Sequence, residues 1–285
     1  MPNLTDQVVL VTGCSSGIGR ALVNRLAQCG HRTFATARRL ETLDDLKSER
    51  IQCLRLDVTE ADSIRAAVDE VMARAGRIDM VVNNAGYILA GPLAEVPLAA
   101  FKELFDTNVA GALAVIQAAF PHMAKAGKGR IVNIGSIVGV LPTPFTGAYC
   151  ASKSALHMLS EVLRMEVAPF GVEVVLVEPG SVKSNIAERA SHGLERYTEG
   201  QSLYGSVHDQ IAKRARTSQE HPMETDDFAR EVVAAITKAR PPRVVRIGRG
   251  VRALAMLAQA PGAARDAVLM RRFGLDEIDG VRKRQ

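Results

Sequence analysis

Tryptophan is absent from the 285 residues, and aromatic side chains make up only 4% of them. Platforms for stacking bases are therefore scarce. Neither a recognition fold nor interleaved aromatic and basic residues accompanies the chain's net charge of +5, which argues against nucleic-acid binding. Cysteine is sparse too: Cys14, Cys29, Cys53 and Cys150 form no C-x-x-C pair and no cluster with histidine. A disulfide framework and a zinc site are both unexpected, and reduced thiols fit a cytoplasmic protein. The histidines are scattered as well, so no metal is expected. Residues 1–20 enter an apolar strand at once, without the layout of a secretory signal. No uninterrupted apolar run reaches the roughly 18 residues of a membrane span, and internal repeats and low-complexity tracts are lacking.

What the chain has in quantity is apolar sequence in short blocks. Hydrophobic residues are 47% and charged residues 24% of the total, enough to bury a full core. Strands are expected at Val8 to Thr12, Arg32 to Ala37, Ile51 to Leu56, Asp79 to Asn83, Arg130 to Gly135, Val172 to Glu178 and Val244 to Gly248. Helical periodicity lies between them, over 17–29, 60–75, 97–126, 147–168 and 225–239. Near-continuous apolar strands alternating with helices predict an α/β fold: a single-domain, Rossmann-like, doubly wound parallel sheet of about seven strands, with helices on both faces. The binding and catalytic domain is expected over 1–250, with a basic helical extension over 251–285.

Ligands bind such sheets at the carboxyl ends of the strands. Thr12-Gly13, Ala37-Arg38, Asp57, Asn83 to Gly86, Gly135-Ser136 and Pro179-Gly180 all fall there. The first strand runs into Gly13-Cys-Ser-Ser-Gly17-Ile-Gly19 and then a helix. Glycines let backbone approach a ligand, and the helix start offers free N–H groups to a pyrophosphate. Tyr149 and Lys153 lie four residues apart and so share one helix face, with Ser136 thirteen residues before the tyrosine. Bringing a phenol from a pKa of about 10 to near 7 requires roughly 4 kcal/mol of preferential phenolate stabilisation. An adjacent ammonium is the expected source of much of that.

These motifs, in this order and spacing, resemble the short-chain dehydrogenase/reductase family. The residues that carry the resemblance are Thr12-Gly-Cys-Ser-Ser-Gly-Ile-Gly19, Asp57, Asn83-Asn-Ala-Gly86, Asn108, Ser136, Tyr149, Lys153 and Pro179-Gly180, within residues 5–250. Cys14-Ser15-Ser16 and the C-terminal extension look most like the 17β-hydroxysteroid and retinol dehydrogenase branch. The resemblance implies catalysis by Asn108, Ser136, Tyr149 and Lys153, with Asn108 holding a water that links Lys153 to solvent. It implies cofactor contacts from Gly13, Ser15, Ser16, Gly17, Ile18, Gly19, Arg38, Asp57, Val58, Asn84, Ala85, Gly86, Tyr149, Lys153, Pro179, Gly180, Val182 and Ser184. Asp57 is expected at the adenine by resemblance; as a lone aspartate after a strand it could equally cap the helix beginning near Glu60. Two positions depart from the family pattern: Gly135 where a second serine is frequent, and Ser184 where a threonine commonly meets the carboxamide.

Cofactor choice follows from the end of the second strand. An acidic residue there would hold a ribose 2′-hydroxyl, whereas an arginine accommodates a 2′-phosphate. The chain offers Ala37, Arg38 and Arg39, with Ser16 able to add a hydrogen bond, so NADP(H) is the expected cofactor.

The polar segment 181–221, interrupted by Gly193, Gly200 and Gly205, is expected to be a substrate lid. Apolar Ile88 to Leu93 and Val140 to Phe145 favour a lipophilic carbonyl or alcohol as substrate. From Pro241 to Gln285, ten Arg or Lys face four Asp or Glu, so this tail carries +6 and the rest about −1. Its amphipathic stretches are expected to pack on the domain; a weak peripheral contact with anionic lipid is the alternative. Helices 97–126 and 147–168 resemble those through which the family forms homodimers or homotetramers. The expected function is NADP(H)-dependent interconversion of a carbonyl and a primary or secondary alcohol. A 3-oxoacyl-thioester reductase and a non-catalytic NADP(H)-binding sensor are the alternatives. The sensor is disfavoured because Ser136, Tyr149, Lys153 and Asn108 are all present.

Overall fold

A computed structural model describes residues 6–184, 190–191 and 193–278. Seven parallel strands form one sheet: β1 (Val8–Val11), β2 (Arg32–Ala37), β3 (Ile51–Arg55), β4 (Met80–Asn83), β5 (Gly129–Ile134), β6 (Val172–Pro179) and β7 (Val244–Ile247). Their order is β3-β2-β1-β4-β5-β6-β7. The order reverses between β1 and β4, and the crevice beyond their carboxyl ends is where such sheets take ligands. Every strand lies within one residue of its sequence-based bounds.

The alternation of side chains in β1 shows why both faces need cover. Val9 and Val11 join one apolar layer with helices α1 (Gly17–Gln28) and α7 (Thr225–Ile236). Val8 and Leu10 point into the opposite layer, with α2 (Ala61–Ala75) and α4 (Gly111–Ala126). A strand buried on both sides has no solvent face, hence its unbroken apolar sequence. Full burial of a side chain such as Leu10 is worth about 1.5–3 kcal/mol.

The helical run expected over 97–126 is broken by chemistry. It begins as α3 (Leu98–Phe105), passes through a π turn at Asp106–Ala110, and continues as α4. The π turn carries Asn108, and π bulges of this kind recur at functional sites. Among the described residues, Leu98–Ala126 alone is long and apolar enough to cross a membrane, by length and composition only. Its α4 part instead supplies Val115, Ile116, Ala119 and Met123 to the core beneath the sheet.

Helix α5 (Gly147–Val167) follows β5 and lies against β6. Beyond β6 the lid folds as short 3₁₀ turns at Leu194–Tyr197 and Gly205–Val207 and as helix α6 (His208–Arg216). Gly193 and Gly200, in the segment expected to be a lid, take left-handed φ values of 77° and 80°. After β7, the tail forms α8 (Val251–Ala258) and α9 (Gly262–Arg272). Leu254, Leu257, Leu269 and Phe273 pack with lid residues Leu194, Tyr197, Val207 and Ile211 in a third apolar cluster. Part of the tail's apolar surface therefore packs on residues 194–211, while Met256, Val268 and Met270 stay exposed.

Candidate active site

The glycine turn has a geometry that side chains would forbid. Gly13 and Gly17 adopt φ of 72° and 56°, and a Cβ at Gly13 would come 2.8 Å from the Ala85 Cα. A Cβ at Gly19 would meet the Gly13 carbonyl oxygen at 2.5 Å. Ser16 precedes α1 without capping it through its side chain, and no acidic residue occupies the first turn, where Ile18 also lies. The positive helix end and its N–H groups stay open to an anion, which fits a pyrophosphate. Asn84 braces the turn: its Nδ2 donates to the carbonyls of Thr12 and Gly13 at 2.9 and 3.0 Å. Thr12 Oγ1 accepts from the backbone N–H of Asn84 and Ala85, both at 3.0 Å. Asn84 thus spends its amide donors on the turn, and Thr12 is a clamp that the sequence motif only quoted.

At the end of β2, Ala37 is buried and Arg38 is exposed, with no ion-pair partner among the described residues. Arg39 instead reaches Glu41 at 3.7 Å. An unpaired guanidinium and no carboxylate at this strand end suit a phosphate better than a bare ribose hydroxyl. Asp57 Oδ1 accepts from Thr59 N–H at 3.0 Å and Thr59 Oγ1 at 2.8 Å. It does not cap the following helix α2, whose N-cap position is Glu60 with no side-chain cap; the local turn takes its oxygen first. Val58 is buried against Gly111, whose Cβ would lie 2.8 Å from the Val58 carbonyl oxygen.

The catalytic candidates converge at the ends of β5 and α5. Ser136, after β5, lies close enough to the Tyr149 phenol for its hydroxyl to favour the ionised form. Thr146 ends the loop before α5, next to Phe145, whose φ of 61° is unusual for a bulky residue. Tyr149 and Lys153 are both buried on one face of α5. Lys153 Nζ donates to the Ile134 carbonyl at 2.8 Å and sits 5.7 Å from the Tyr149 ring centroid. Burial pushes the Tyr149 phenol up to about 12, partly opposed by the Ser136 hydroxyl and by Arg214. Burial likewise pulls Lys153 down to about 8. The expectation of a tyrosine acidified by its lysine is therefore corrected: desolvation wins, and the protein alone holds a neutral phenol beside a weakened cation.

Asn108 is held by three hydrogen bonds. Its Oδ1 accepts from Tyr87 N–H at 3.1 Å, while Nδ2 donates to the Tyr87 carbonyl at 3.0 Å and to Ser152 Oγ at 3.1 Å. The side chain therefore fixes the loop after β4 to α5 and spends both amide donors doing so. Gly86 lies directly against it: a Cβ there would be 2.9 Å from Asn108 Oδ1.

Beyond β6, Pro179 ends the strand and Gly180 N–H donates to Ile247 at 2.8 Å. Val182 is buried and bridges to Met223, and Ser184 N–H donates to Gln219 Oε1 at 2.9 Å. A Cβ on Gly17 would touch the Ser184 Cβ at 3.2 Å, so this segment lies across the glycine turn, with Ser15 and Ser16 alongside. Among the described residues no group of His, Cys, Asp and Glu could hold a metal ion.

Two site residues escaped the sequence reading. His157 accepts the Ser136 N–H on Nε2 at 3.3 Å, and its ring fills the place of a Cβ at Gly135, 2.4 Å from Nε2. That accounts for glycine where a serine is frequent. Burial, then Lys153 and Arg246, pull His157 down to about 4, so it stays neutral and keeps accepting. Its position four residues past Lys153, on the same helix face, was the available signal. Arg214 comes from lid helix α6, where nothing in a polar, arginine-rich stretch distinguished it.

Comparison with known proteins agrees with this geometry. Residues 7–195 match the short chain dehydrogenase family model. An NADPH-dependent 1-acyldihydroxyacetone phosphate reductase of Schizosaccharomyces pombe is 39% identical over 65% of this chain, which spans 62% of that protein. Human 17-beta-hydroxysteroid dehydrogenase type 1 is 33% identical over 82% of this chain and 75% of its own length. A short chain dehydrogenase from Burkholderia cenocepacia J2315, solved in complex with NADP, superposes with a TM-score of 0.74 at 25% identity, covering 94% of this chain and 99% of its own.

Proposed function

This chain belongs to the short-chain dehydrogenase family, and within it we propose an NADP(H)-dependent oxidoreductase that interconverts a carbonyl and an alcohol on a lipophilic substrate. The observation that carries the reading is the buried Ser136, Tyr149 and Lys153 cluster at the mouth of the glycine-turn crevice. The glycine turn, the open start of α1 and Arg38 would hold NADP(H), which would supply hydride to, or take it from, the reacting carbon. Tyr149, neutral in the free protein, gives its proton to the carbonyl oxygen, while the Ser136 hydroxyl donates a hydrogen bond to the same atom. Lys153, pulled down to about 8, can pass a proton toward Tyr149 near neutral pH. His157 and Asn108 keep Ser136 and the loop after β4 in register.

NADP(H) is supported by unpaired Arg38, by the NADPH-dependent yeast relative and by the NADP complex of the Burkholderia relative. A lipophilic substrate is supported by Leu93 and Val140, exposed beside the site, and by relatives named for a hydroxysteroid and an acyldihydroxyacetone phosphate. A homo-oligomer is supported by Met158, Val162 and Met165, an exposed apolar stripe on α5 that a second copy of the chain would cover. Four free cysteines support a cytoplasmic setting.

Absorbance at 340 nm across ketones, aldehydes and alcohols, from steroids to short acyl thioesters, tests the reading. Tyr149→Phe should lose about 10²-fold or more in kcat while keeping NADPH affinity. A variant with near-normal rate would refute the assignment. Tight NADPH binding with no turnover on any substrate would favour a cofactor sensor instead.

A further inference from the structure

Arg214 is a buried cation that the catalytic reading leaves unused. As a whole residue it is half-buried, but its Nε is sealed from solvent and has no acceptor among the described residues. Nη2 donates to Thr143 Oγ1 at 2.9 Å and Thr146 Oγ1 at 3.0 Å, both neutral. The guanidinium lies over the Phe273 ring at 5.6 Å, and no carboxylate pairs with it among the described residues. Thr146 immediately precedes α5, so this cation also meets the positive end of a 21-residue helix. Two like electrostatic sources thus converge without a counter-charge. Arginines that hold structure here look different: buried Arg130 binds Glu173 at 3.1 Å and the Lys238 carbonyl at 2.9 Å.

Position gives the missing charge its place. Lid helix α6 sets Arg214 on the first turn of the helix that carries Tyr149, and the two side chains are near enough to shift one another's titration. Phe145, Tyr204, Ile211 and Phe273 surround that region with apolar surface. A charged group drawn to the guanidinium would lie near the first turn of α5, which carries Tyr149, with a hydrocarbon chain packed around it.

We propose that Arg214 is a subsite for an anionic group, so that the preferred substrates are lipophilic carbonyl compounds or alcohols bearing a carboxylate or phosphate near the reacting carbon. The inference rests on the carbonyl–alcohol activity proposed above. A guanidinium holds its donors in a fixed planar fork, part of which the two threonines already take, and burial strengthens the charge-assisted contact left to an anion.

The test uses matched pairs: a long-chain oxo acid against its methyl ester, and a long-chain hydroxyketone phosphate against the free hydroxyketone. Wild type should favour the anionic member at least about tenfold in kcat/KM, as charge-assisted hydrogen bonds do. Arg214→Met should bring that ratio to about one, and Arg214→Lys should restore part of it, because charge returns without the fork. Preference within one pair only identifies which anion the subsite takes. A wild type without preference for either anion, or an Arg214→Met that slows both members of a pair equally, overturns the inference. If neither member of any pair turns over, the activity reading fails for these chains, and calorimetry on NADP-loaded protein still decides the subsite. Decanoate bound by wild type, but not by Arg214→Met, supports it; decanoate and decanol bound alike by both proteins defeats it.

Discussion

Replacing Lys153 by methionine should make the empty protein more stable at neutral pH while destroying its activity. The folded protein holds Lys153 at about 8 against an ordinary 10.5, with burial as the cause. At about 1.36 kcal/mol per pH unit, that difference is about 3 kcal/mol of unfavourable charge burial. The sign follows from which state loses its proton first. Below pH 8 the lysine is charged in both states and the whole cost is present; between pH 8 and 10.5 the folded state is already neutral and the cost fades. The stability advantage of Lys153→Met over wild type should therefore be about 3 kcal/mol larger at neutral pH than at pH 10.5. Losing the hydrogen bond to Ile134, 2.8 Å long, shifts the two curves by a constant but does not change their slope. Tyr149, raised to about 12, titrates in both proteins, and Lys153 is not among the causes of its shift, so its contribution cancels. The chain has no tryptophan, so urea unfolding is best followed by far-ultraviolet circular dichroism, with a thiol reductant present. A stability difference that stays flat across the window, or grows with pH, would refute the desolvation argument. Turnover is a separate readout, expected to fall to near background in the variant.

Two further outcomes are expected. Gly135→Ala should destabilise the fold by about 1–3 kcal/mol and lower kcat, because its Cβ would fall 2.4 Å from His157 Nε2 and displace the acceptor of Ser136 N–H. Pairing it with His157→Ala should recover much of the stability, as denaturant midpoints of the single and double variants would show. Arg38→Ala should raise KM for NADPH about tenfold or more with little change for NADH, since only the former carries the 2′-phosphate. Steady-state kinetics with both cofactors checks this, and equal losses would deny Arg38 the discriminating role.

The sheet was legible because its strands are buried on both faces, which leaves an unbroken apolar signature bounded by glycine and polar residues. The catalytic residues were legible because helix geometry turns a four-residue spacing into proximity, as for Tyr149 and Lys153. The same rule reaches His157, yet a lone histidine in a helix gives no hint of its acceptor until the chain places Ser136 against it. The π turn at Asp106–Ala110 was hidden for a related reason: its cause is the long-range bonding of Asn108 to Tyr87 and Ser152. Sequence spacing also gave the wrong sign for the tyrosine. It counts the neighbouring charge and is blind to the solvent removed from both partners.

The treatment of buried cations connects these results. Arg130 is enclosed at the end of the sheet and is matched by Glu173 and by backbone carbonyls, which is the condition for a charge that only holds structure. At the other end of the sheet it is the carboxylate that is buried: Glu178 is met by the exposed Arg246 at 2.6 Å. Lys153, bonded only to the neutral Ile134 carbonyl, and Arg214, bonded to two threonine hydroxyls, have no carboxylate partner among the described residues, although burial disfavours the charged form of each. An unmatched buried charge lowers stability in the empty protein, and that cost is recovered only when an anion or polar ligand arrives. Both unmatched cations lie around Tyr149, one from α5 and one from the lid. Ligand binding should therefore raise stability through both groups, and the lid that carries Arg214 should be held most firmly when the ligand supplies its missing charge.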